Sequence, residues 1–108
     1  MTRLNLLQGT LDLIVLKVLS GEPLHGYAIA QRIREVSREL LQIEEGSLYP
    51  ALYRMEKKGW IRSRWGLTEK QRQARVYSLT PLGRKHLVAE ETNWEALAGV
   101  MGRIMKLG

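Results

Sequence analysis

The sequence predicts a mainly α-helical domain with a small β-hairpin. Three observations predict this fold class. Apolar residues recur at spacings of three and four residues in four stretches of the chain, which is the period of amphipathic helices. Between the third and fourth stretches the apolar period changes to two, as in strands. A length of 108 residues and a hydrophobic content of 44% fit one globular domain with a modest core.

The first predicted helix covers residues 4–19, and its apolar side chains share one stripe. The stripe consists of Leu4, Leu7, Leu11, Ile14, Val15 and Val18. Gly9 weakens a helix at this place, so a helix start between residues 8 and 10 is the alternative. A glycine and a proline within residues 20–23 then end the predicted helix.

The second predicted helix covers residues 24–40. Its expected buried side consists of Tyr27, Ala30, Ile33 and either Val36 or Ser37. Its expected solvent side consists of Arg32, Arg34, Glu35, Arg38 and Glu39. A short link at residues 42–45 connects it to a third helix, and two helices joined in this way match a helix-turn-helix.

The third predicted helix covers residues 46–59 and has two different faces. Leu48, Leu52 and Met55 stand at i, i+4 and i+7, so they share an apolar face. The opposite face carries hydroxyl groups and cations, namely Ser47, Pro50, Tyr53, Arg54, Lys57 and Lys58, with Tyr49 nearer the boundary. The Gly-Ser pair at 46–47 is expected to cap the helix, and the proline to lie in its first turn. Such a face suits phosphates and base edges, with a solvated amphipathic helix as the alternative.

Positive charge is concentrated in one continuous segment. The net charge is +6, and residues 46–75 hold eight cations and two acids. The remaining residues hold nine of each sign, so this segment accounts for the whole excess. A localised basic patch on a small domain indicates a polyanionic partner, nucleic acid first and an anionic membrane second.

A β-hairpin with a polar tip is predicted directly after the third helix. Its strands are residues 60–65 and 75–79, which are rich in β-forming residues. The tip between them, residues 66–74, is polar and basic. A helix-turn-helix followed by such a hairpin is a winged helix, in which the hairpin is the wing.

The wing, taken as residues 62–75, is expected to contribute cations of its own. Alternation separates the arginines at 62 and 64 from the apolar Ile61 and Trp65. Three further cations lie at the tip and just after it: Lys70, Arg72 and Arg75. Such a tip suits a phosphate backbone or a minor groove, and a solvated loop is the alternative.

The last predicted helix covers residues 81–107. Thr80 as N-cap and Pro81 at the first helical position mark its start. Its apolar residues form a short a/d seam, Trp94, Leu97, Met101 and Ile104. A second copy of the chain is the expected cover for this seam, and folding back onto its own domain is the alternative. The chain thus divides into an expected winged-helix unit, residues 1–80, and an expected dimerisation helix, residues 81–108.

Several function classes are disfavoured. The chain has no cysteine, which excludes disulfides and thiolate metal sites and suits a reducing cytosol. No histidine or carboxylate is expected at metal-ligand spacing from His25 or His86, so neither a metal nor another cofactor is predicted. Neighbouring carboxylates diverge by about 100° on a helix and form no catalytic dyad, so an enzyme is not predicted. Polar residues interrupt the N-terminal stretch, so neither a signal peptide nor a membrane span is predicted.

Five short strings stand in order along nearly the whole chain. They are LLQGTLDL at 6–13, PLHGY at 23–27, EGSLYPAL at 45–52, KGWI at 58–61 and YSLTPLG at 77–83. In this order and spacing they resemble the PadR family of bacterial transcriptional regulators, and the strings around residues 25–27 and 46–50 are the specific ones. The short C-terminal helix resembles the short branch of that family, for which the acidobacterial-type group is one candidate.

The resemblance implies a winged-helix homodimer that binds palindromic operators in double-stranded DNA, usually as a repressor. It also implies that the C-terminal helix dimerises, and that many members release DNA on binding a small hydrophobic, aromatic or phenolic effector. In some relatives a tryptophan of this helix lines the effector site, and Trp94 is the corresponding position here. A plain dimer-core role for Trp94 is the favoured alternative, because the short helix leaves little material for a ligand domain.

The expected DNA contacts lie on the third helix and the wing. Ser47, Tyr49, Pro50 and Tyr53 are expected to enter or flank the major groove. The expected supporting cations are Arg54, Lys57 and Lys58 on the helix and Lys70, Arg72 and Arg75 on the wing. His25 and Tyr27 are expected at the DNA backbone. A winged helix that contacts protein or RNA is the first rival function, and an enzyme is the second.

Overall fold

Four helices and a three-stranded antiparallel sheet make up the part of the chain that the computed structural model describes, residues 8–108. In chain order they are α1 (Gln8–Leu19), β1 (Leu24–His25), α2 (Gly26–Val36), α3 (Glu45–Lys57), β2 (Ile61–Leu67), β3 (Gln73–Leu79) and α4 (Pro81–Ile104). The strand order in the sheet is β1-β3-β2, with both pairs antiparallel. The predicted fold class, mainly α with a small hairpin, is confirmed.

α1 lies at the centre of the packing, and the described part of this helix is Gln8–Leu19. The predicted stripe residues Leu4 and Leu7 lie outside the described residues. Val15 and Leu16 are both almost fully buried, although only Val15 belongs to the predicted stripe. α1 contacts all three other helices and β3, so it buries more of its circumference than one amphipathic stripe would.

α2 is shorter at both ends than the predicted helix. Leu24 and His25 form β1 instead of the first helical turn, because they pair with Tyr77 and Val76 of β3. The helix ends at Val36, and the following residues include two with positive φ, Arg38 and Glu39. Helical residues have negative φ, so these two conformations end the helix before residue 40.

The buried side of α2 also differs from the prediction. Tyr27 is 67% exposed and Val36 is 65% exposed, so neither belongs to the core. The residues that α2 buries are Gly26, Ile29 and Ile33. Ile29 and Ile33 are four residues apart and point to α1 and α3, which rotates the buried stripe away from Tyr27.

α3 packs its predicted apolar face into the core. Leu48, Leu52 and Met55 are at most 1% exposed, and Ala51 is buried with them. Burying one such side chain stabilises the fold by about 1.5–3 kcal/mol, so this face fixes the rotation of α3 about its axis. The opposite face is thereby held toward solvent.

The start of α3 differs from the prediction. The N-cap position is Glu44, whose side chain makes no capping hydrogen bond, so the expected cap by Gly46 and Ser47 is wrong. Because the helix begins at Glu45, Pro50 lies inside the helix and not in its first turn. A proline there cannot donate to the carbonyl group of Gly46, a loss that falls on the exposed side of the helix.

The hairpin extends further than predicted. Its seven cross-strand pairs run from Ile61 opposite Leu79 to Leu67 opposite Gln73, so the tip shortens to residues 68–72. Ile61 is buried at the end nearest the helices. Trp65 shares the face of Ile61 by alternation but is 62% exposed, because this part of the hairpin projects beyond the core.

α4 begins as predicted. The Thr80 side chain accepts a hydrogen bond from the backbone N–H of Gly83 at 2.9 Å, and Pro81 occupies the first turn. The first third of the helix packs on the domain through Leu87, which is buried. From Thr92 onward every residue is exposed. Within residues 8–108, no helix is long and apolar enough to cross a membrane.

Candidate nucleic-acid interface

Three elements enclose a cleft of about 830 Å³ on one side of the molecule. They are the start of α2, the N-terminal half of α3 and the hairpin. About half of the lining residues are aromatic or cationic, and the acidic Glu69 is also among them; the aromatic and cationic ones include His25, Tyr27, Tyr49, Trp65, Lys70, Arg72 and Arg75. The cleft therefore combines residues from both segments that the sequence predicts as DNA contacts.

The outer face of α3 carries the predicted polar set. Ser47, Tyr49, Pro50, Tyr53, Lys57 and Lys58 are all exposed. The Lys57 Nζ lies 5.0 Å from the centre of the Tyr53 ring, and the Lys58 Nζ lies 4.7 Å from that of Trp60. These cation–π contacts hold both ammonium groups near the helix surface while they remain accessible to an anion.

Arg54 occupies a different environment from the rest of this set. Its guanidinium group forms a salt bridge with Asp12 of α1, and the two side chains are 29% and 13% exposed. The pair ties the outer side of α3 to α1 and orients the helix. A direct contact between Arg54 and DNA stays a prediction.

A chain of contacts connects α3 to the hairpin. The Ser63 hydroxyl group donates to Glu56 of α3 at 2.8 Å, and Arg75 Nη1 donates to the Ser63 hydroxyl oxygen at 3.0 Å. The Arg75 guanidinium group also stacks on the Trp65 ring at 4.9 Å. The orientation of the hairpin relative to α3 is thus held by polar contacts as well as by the core.

The hairpin tip is closed by its own backbone. Thr68 donates its N–H to the Arg72 carbonyl group at 2.8 Å, and Gln71 donates to that of Thr68 at 2.9 Å. Gln71 adopts a positive φ of 61° that this tight turn requires. Lys70 and Arg72 are exposed on the turn, as the sequence predicts.

His25 and Tyr27 form a small aromatic unit at the start of α2. The His25 Nδ1 accepts the backbone N–H of Ala28 at 3.3 Å, so His25 is the N-cap of α2. The rings of His25 and Tyr27 are stacked with centres 6.4 Å apart. His25 therefore has a structural role at the start of α2, and Tyr27 lines the cleft.

Tyr77 lies on the cleft side of the sheet and is nearly buried. Burial raises the pKa of its phenol above the usual value, and the nearby Glu56 and Tyr49 act in the same direction. Arg75 opposes this shift. A phenol is already neutral at neutral pH, so Tyr77 adds no negative charge to a surface rich in cations.

The contacts of two residues were not predicted from the sequence. Trp65 lines the cleft, and its ring orients Arg75. This contact depends on the register of β2 and β3, which places Trp65 opposite Arg75. His86 has a carboxylate at helical spacing, contrary to the prediction: its Nε2 lies 3.9 Å from Glu90. Within the described part of the chain, however, no cluster of three or more such side chains could hold a metal ion.

The residues of the predicted seam lie on the C-terminal part of α4 and are uncovered within residues 8–108. Trp94 and Leu97 are 53% and 54% exposed. Met101 and Ile104 are 43% and 45% exposed. Residues 8–108 of the same chain therefore do not cover this stripe.

A helix-turn-helix followed by an antiparallel hairpin, with cations on the second helix and the hairpin tip, defines a DNA-binding winged-helix protein. Residues 15–89 match the model of the transcriptional regulator PadR-like family. The chain therefore belongs to this family of transcriptional regulators, and the resemblance in the sequence is confirmed.

Relatives support the assignment along most of the chain. A transcriptional regulator of Mycobacterium tuberculosis is 34% identical over 84 residues, which cover 78% of this chain and 75% of the relative. The structure of a transcriptional regulator from Clostridium thermocellum is similar with a TM-score of 0.83 and 34% identity, covering 92% and 93% of the two chains. A PadR family transcription regulator from Clostridium difficile gives a TM-score of 0.79 and 29% identity, covering 90% and 99%.

Proposed function

We propose that this regulator is a homodimeric repressor that binds a palindromic operator in the cytoplasm and catalyses no reaction. The proposed division is a DNA-binding unit, residues 1–80, and a dimerisation helix, residues 81–108. The cleft between α3 and the hairpin carries the proposal, because it brings exposed hydroxyl groups and cations of two elements onto one surface.

In this proposal α3 is the recognition helix and enters the major groove. The groove is about 12 Å wide and admits one α-helix. Ser47, Tyr49 and Tyr53 read or flank the bases, and Pro50 lies beside them. Their exposure on the side of α3 opposite the core supports this role. Hydroxyl groups both donate and accept hydrogen bonds, so they can pair with several base edges.

The proposed phosphate contacts are exposed cations of α3 and of the hairpin tip. Lys57 and Lys58 lie at the end of α3, and Lys70 and Arg72 lie on the hairpin tip. Behind them, the Arg54 and Arg75 side chains add positive potential while they hold α3 and the hairpin in place. Tyr27 contacts the DNA backbone, and His25 fixes the helix start that presents it.

Dimerisation through the C-terminal part of α4 is supported by the uncovered seam. Side chains at positions 94, 97, 101 and 104 would bury apolar surface against the same residues of a second copy. Such a symmetric dimer presents two recognition helices, which is why the proposed operator is palindromic. Trp94 is proposed as a core residue of that dimer. A site for a small hydrophobic or phenolic effector beside Trp94 is the second possibility.

A gel-shift experiment tests the proposal with DNA from upstream of the regulator's own gene. The wild-type dimer is expected to bind one upstream fragment more tightly than bulk DNA. Tyr49→Ala and Ser47→Ala are expected to weaken binding to that fragment by about tenfold each, and bulk DNA binding by less, because losing a good base contact costs about 1–3 kcal/mol. Thr92→Ala, at an exposed site that does not line the cleft, serves as the matched control.

Equal losses on both DNAs would show that Tyr49 and Ser47 position the protein without reading bases. Tighter binding to RNA than to any upstream DNA would support the rival function. If the protein binds none of the upstream fragments, the proposal is contradicted.

A further inference from the structure

We infer that Gly26 is a positioning residue for base recognition, because its bare α-carbon provides the space in which the Tyr49 ring lies. The inference rests on the proposed function, in which Tyr49 contacts bases. It concerns how that side chain is aimed. The contact between Gly26 and Tyr49 joins the start of α2 to the N-terminal half of α3.

The atoms nearest to the open side of Gly26 belong to Tyr49. A Cβ atom added at Gly26 would lie 2.6 Å from the Tyr49 hydroxyl oxygen, 2.8 Å from Cε1 and 2.9 Å from Cζ. Carbon atoms in contact are normally about 3.5–4.0 Å apart, so any side chain at this position would overlap the ring. The ring therefore rests directly on the backbone of the first residue of α2.

Nothing in the backbone of Gly26 itself demands glycine. Its φ lies outside the positive range that disfavours other residues, and it is the first residue of a helix. Alanine is intrinsically better than glycine in a helix. Backbone preference alone thus favours alanine at this position, and the Tyr49 ring opposes it.

A methyl group at Gly26 is expected to displace the ring and leave the fold intact. The overlapping atoms belong to the far end of a side chain that is 42% exposed, so Tyr49 can rotate outward into the cleft. The backbones of α2 and α3 are held separately by Ile29, Leu48 and Leu52, which are at most 1% exposed. The displaced phenol no longer meets the base edge that the native ring reaches, since functional groups must be held within about 0.5 Å of their productive position.

The test is a double-mutant cycle with Gly26→Ala, Tyr49→Ala and the double variant. For each protein, the Kd is measured at one fixed salt concentration for the upstream fragment that the wild type binds most tightly and for bulk DNA. Gly26→Ala alone is expected to weaken binding to the fragment by about tenfold, the cost of one lost base contact, and bulk DNA binding by less. In the Tyr49→Ala background the same change is expected to have no further effect.

Gly21→Ala is the matched control, because a Cβ atom there meets its nearest neighbour at an ordinary 3.6 Å. An equal loss from Gly26→Ala in both backgrounds would overturn the inference, as would unchanged binding by the single variant. Thermal unfolding of all the variants completes the test. If Gly26→Ala unfolds the protein, recovery of folding in the double variant supports the contact, and failure to recover overturns it.

Different results would refute the proposed function and the positioning role of Gly26. A wild-type protein that does not prefer any upstream fragment refutes the proposed function, and the unfolding data still measure the coupling of Gly26 to Tyr49. A wild-type protein with a clear preference that survives Gly26→Ala refutes only the positioning role.

Discussion

α3 and the C-terminal part of α4 are both amphipathic helices, but they bury their apolar faces in different ways. In α3 the apolar face is covered by the same chain: Leu52 is fully buried. In α4 the apolar stripe has no cover in residues 8–108: Leu97 is 54% exposed. An apolar stripe at helical spacing therefore stabilises the fold in α3. In α4 such a stripe forms a surface that is available to a second molecule.

The proposed DNA recognition and the proposed dimerisation therefore lie on different helices. The core fixes the rotation of α3, so its polar face is exposed to solvent and Tyr49 at its boundary lines the cleft. The proposed dimer contacts lie beyond Thr92, where α4 has left the core. Changes to one region are therefore expected to leave the other intact.

The largest expected effect is on folding and comes from Leu52→Ala. This change should lower the free energy of unfolding by about 2–5 kcal/mol, because it removes buried methyl groups and leaves a cavity. Leu97→Ala is the matched control and should change the free energy of unfolding of the monomer by less than about 0.5 kcal/mol. Denaturant unfolding at low protein concentration measures both, and equal losses would remove the distinction between the two helices.

The next effect is on assembly and comes from Trp94→Asp. A charge in an apolar interface should raise the dimer dissociation constant by about 30-fold or more, because losing an aromatic anchor of an interface costs about 2 kcal/mol. Sedimentation of the variant should give monomers at concentrations where the wild type is dimeric. Asn93→Asp adds the same charge one residue away and should retain the dimer. An intact Trp94→Asp dimer would contradict the proposed seam.

A smaller effect on folding is expected from Asp12→Ala. The half-buried Arg54 loses a carboxylate partner, which should lower the free energy of unfolding by about 1–3 kcal/mol. Glu22→Ala removes an exposed carboxylate as a control and should be nearly neutral. Chemical denaturation distinguishes the two outcomes, and an equally neutral Asp12→Ala would show that the pair does not hold α3.

The smallest effect is expected from Lys17→Ala. Lys17 bonds to Glu91 of α4 at 2.9 Å, but the side chains are 60% and 37% exposed. Water and salt screen such a pair, so its removal should cost less than about 0.5 kcal/mol. A larger loss in thermal unfolding would mean that this ion pair, and not the core around Leu87, holds α4 to the domain.

The sequence predicts those features that depend on local spacing. The faces of α3, the Thr80 cap of α4 and the cationic hairpin tip follow from residues within a few positions of one another. These local patterns were enough to locate both α3 and the hairpin as the candidate site. They also identified the apolar stripe of α4 as a surface that needs a cover.

The features that the sequence misses depend on distant partners. Arg54 is predicted as an outer cation, yet it pairs with Asp12, 42 residues earlier. Leu24 and His25 continue a helical pattern but pair with β3, so β1 replaces a helical turn. The contact between Gly26 and Tyr49 joins two helices and has no signature in either one alone. Such contacts depend on how the helices and strands are placed relative to one another. The periodicity of residues within one element does not predict that placement.

The salt dependence of operator binding tests most directly the central claim that exposed cations of α3 and the hairpin bind DNA phosphates. Lys57, Lys58, Lys70 and Arg72 contribute four exposed cations per protomer. A dimer that neutralises about eight phosphates should give a plot of log K against log salt with a slope near −7. Replacing both hairpin cations, Lys70 and Arg72, by alanine should reduce the steepness by about half. A slope near zero for the wild type would contradict the account.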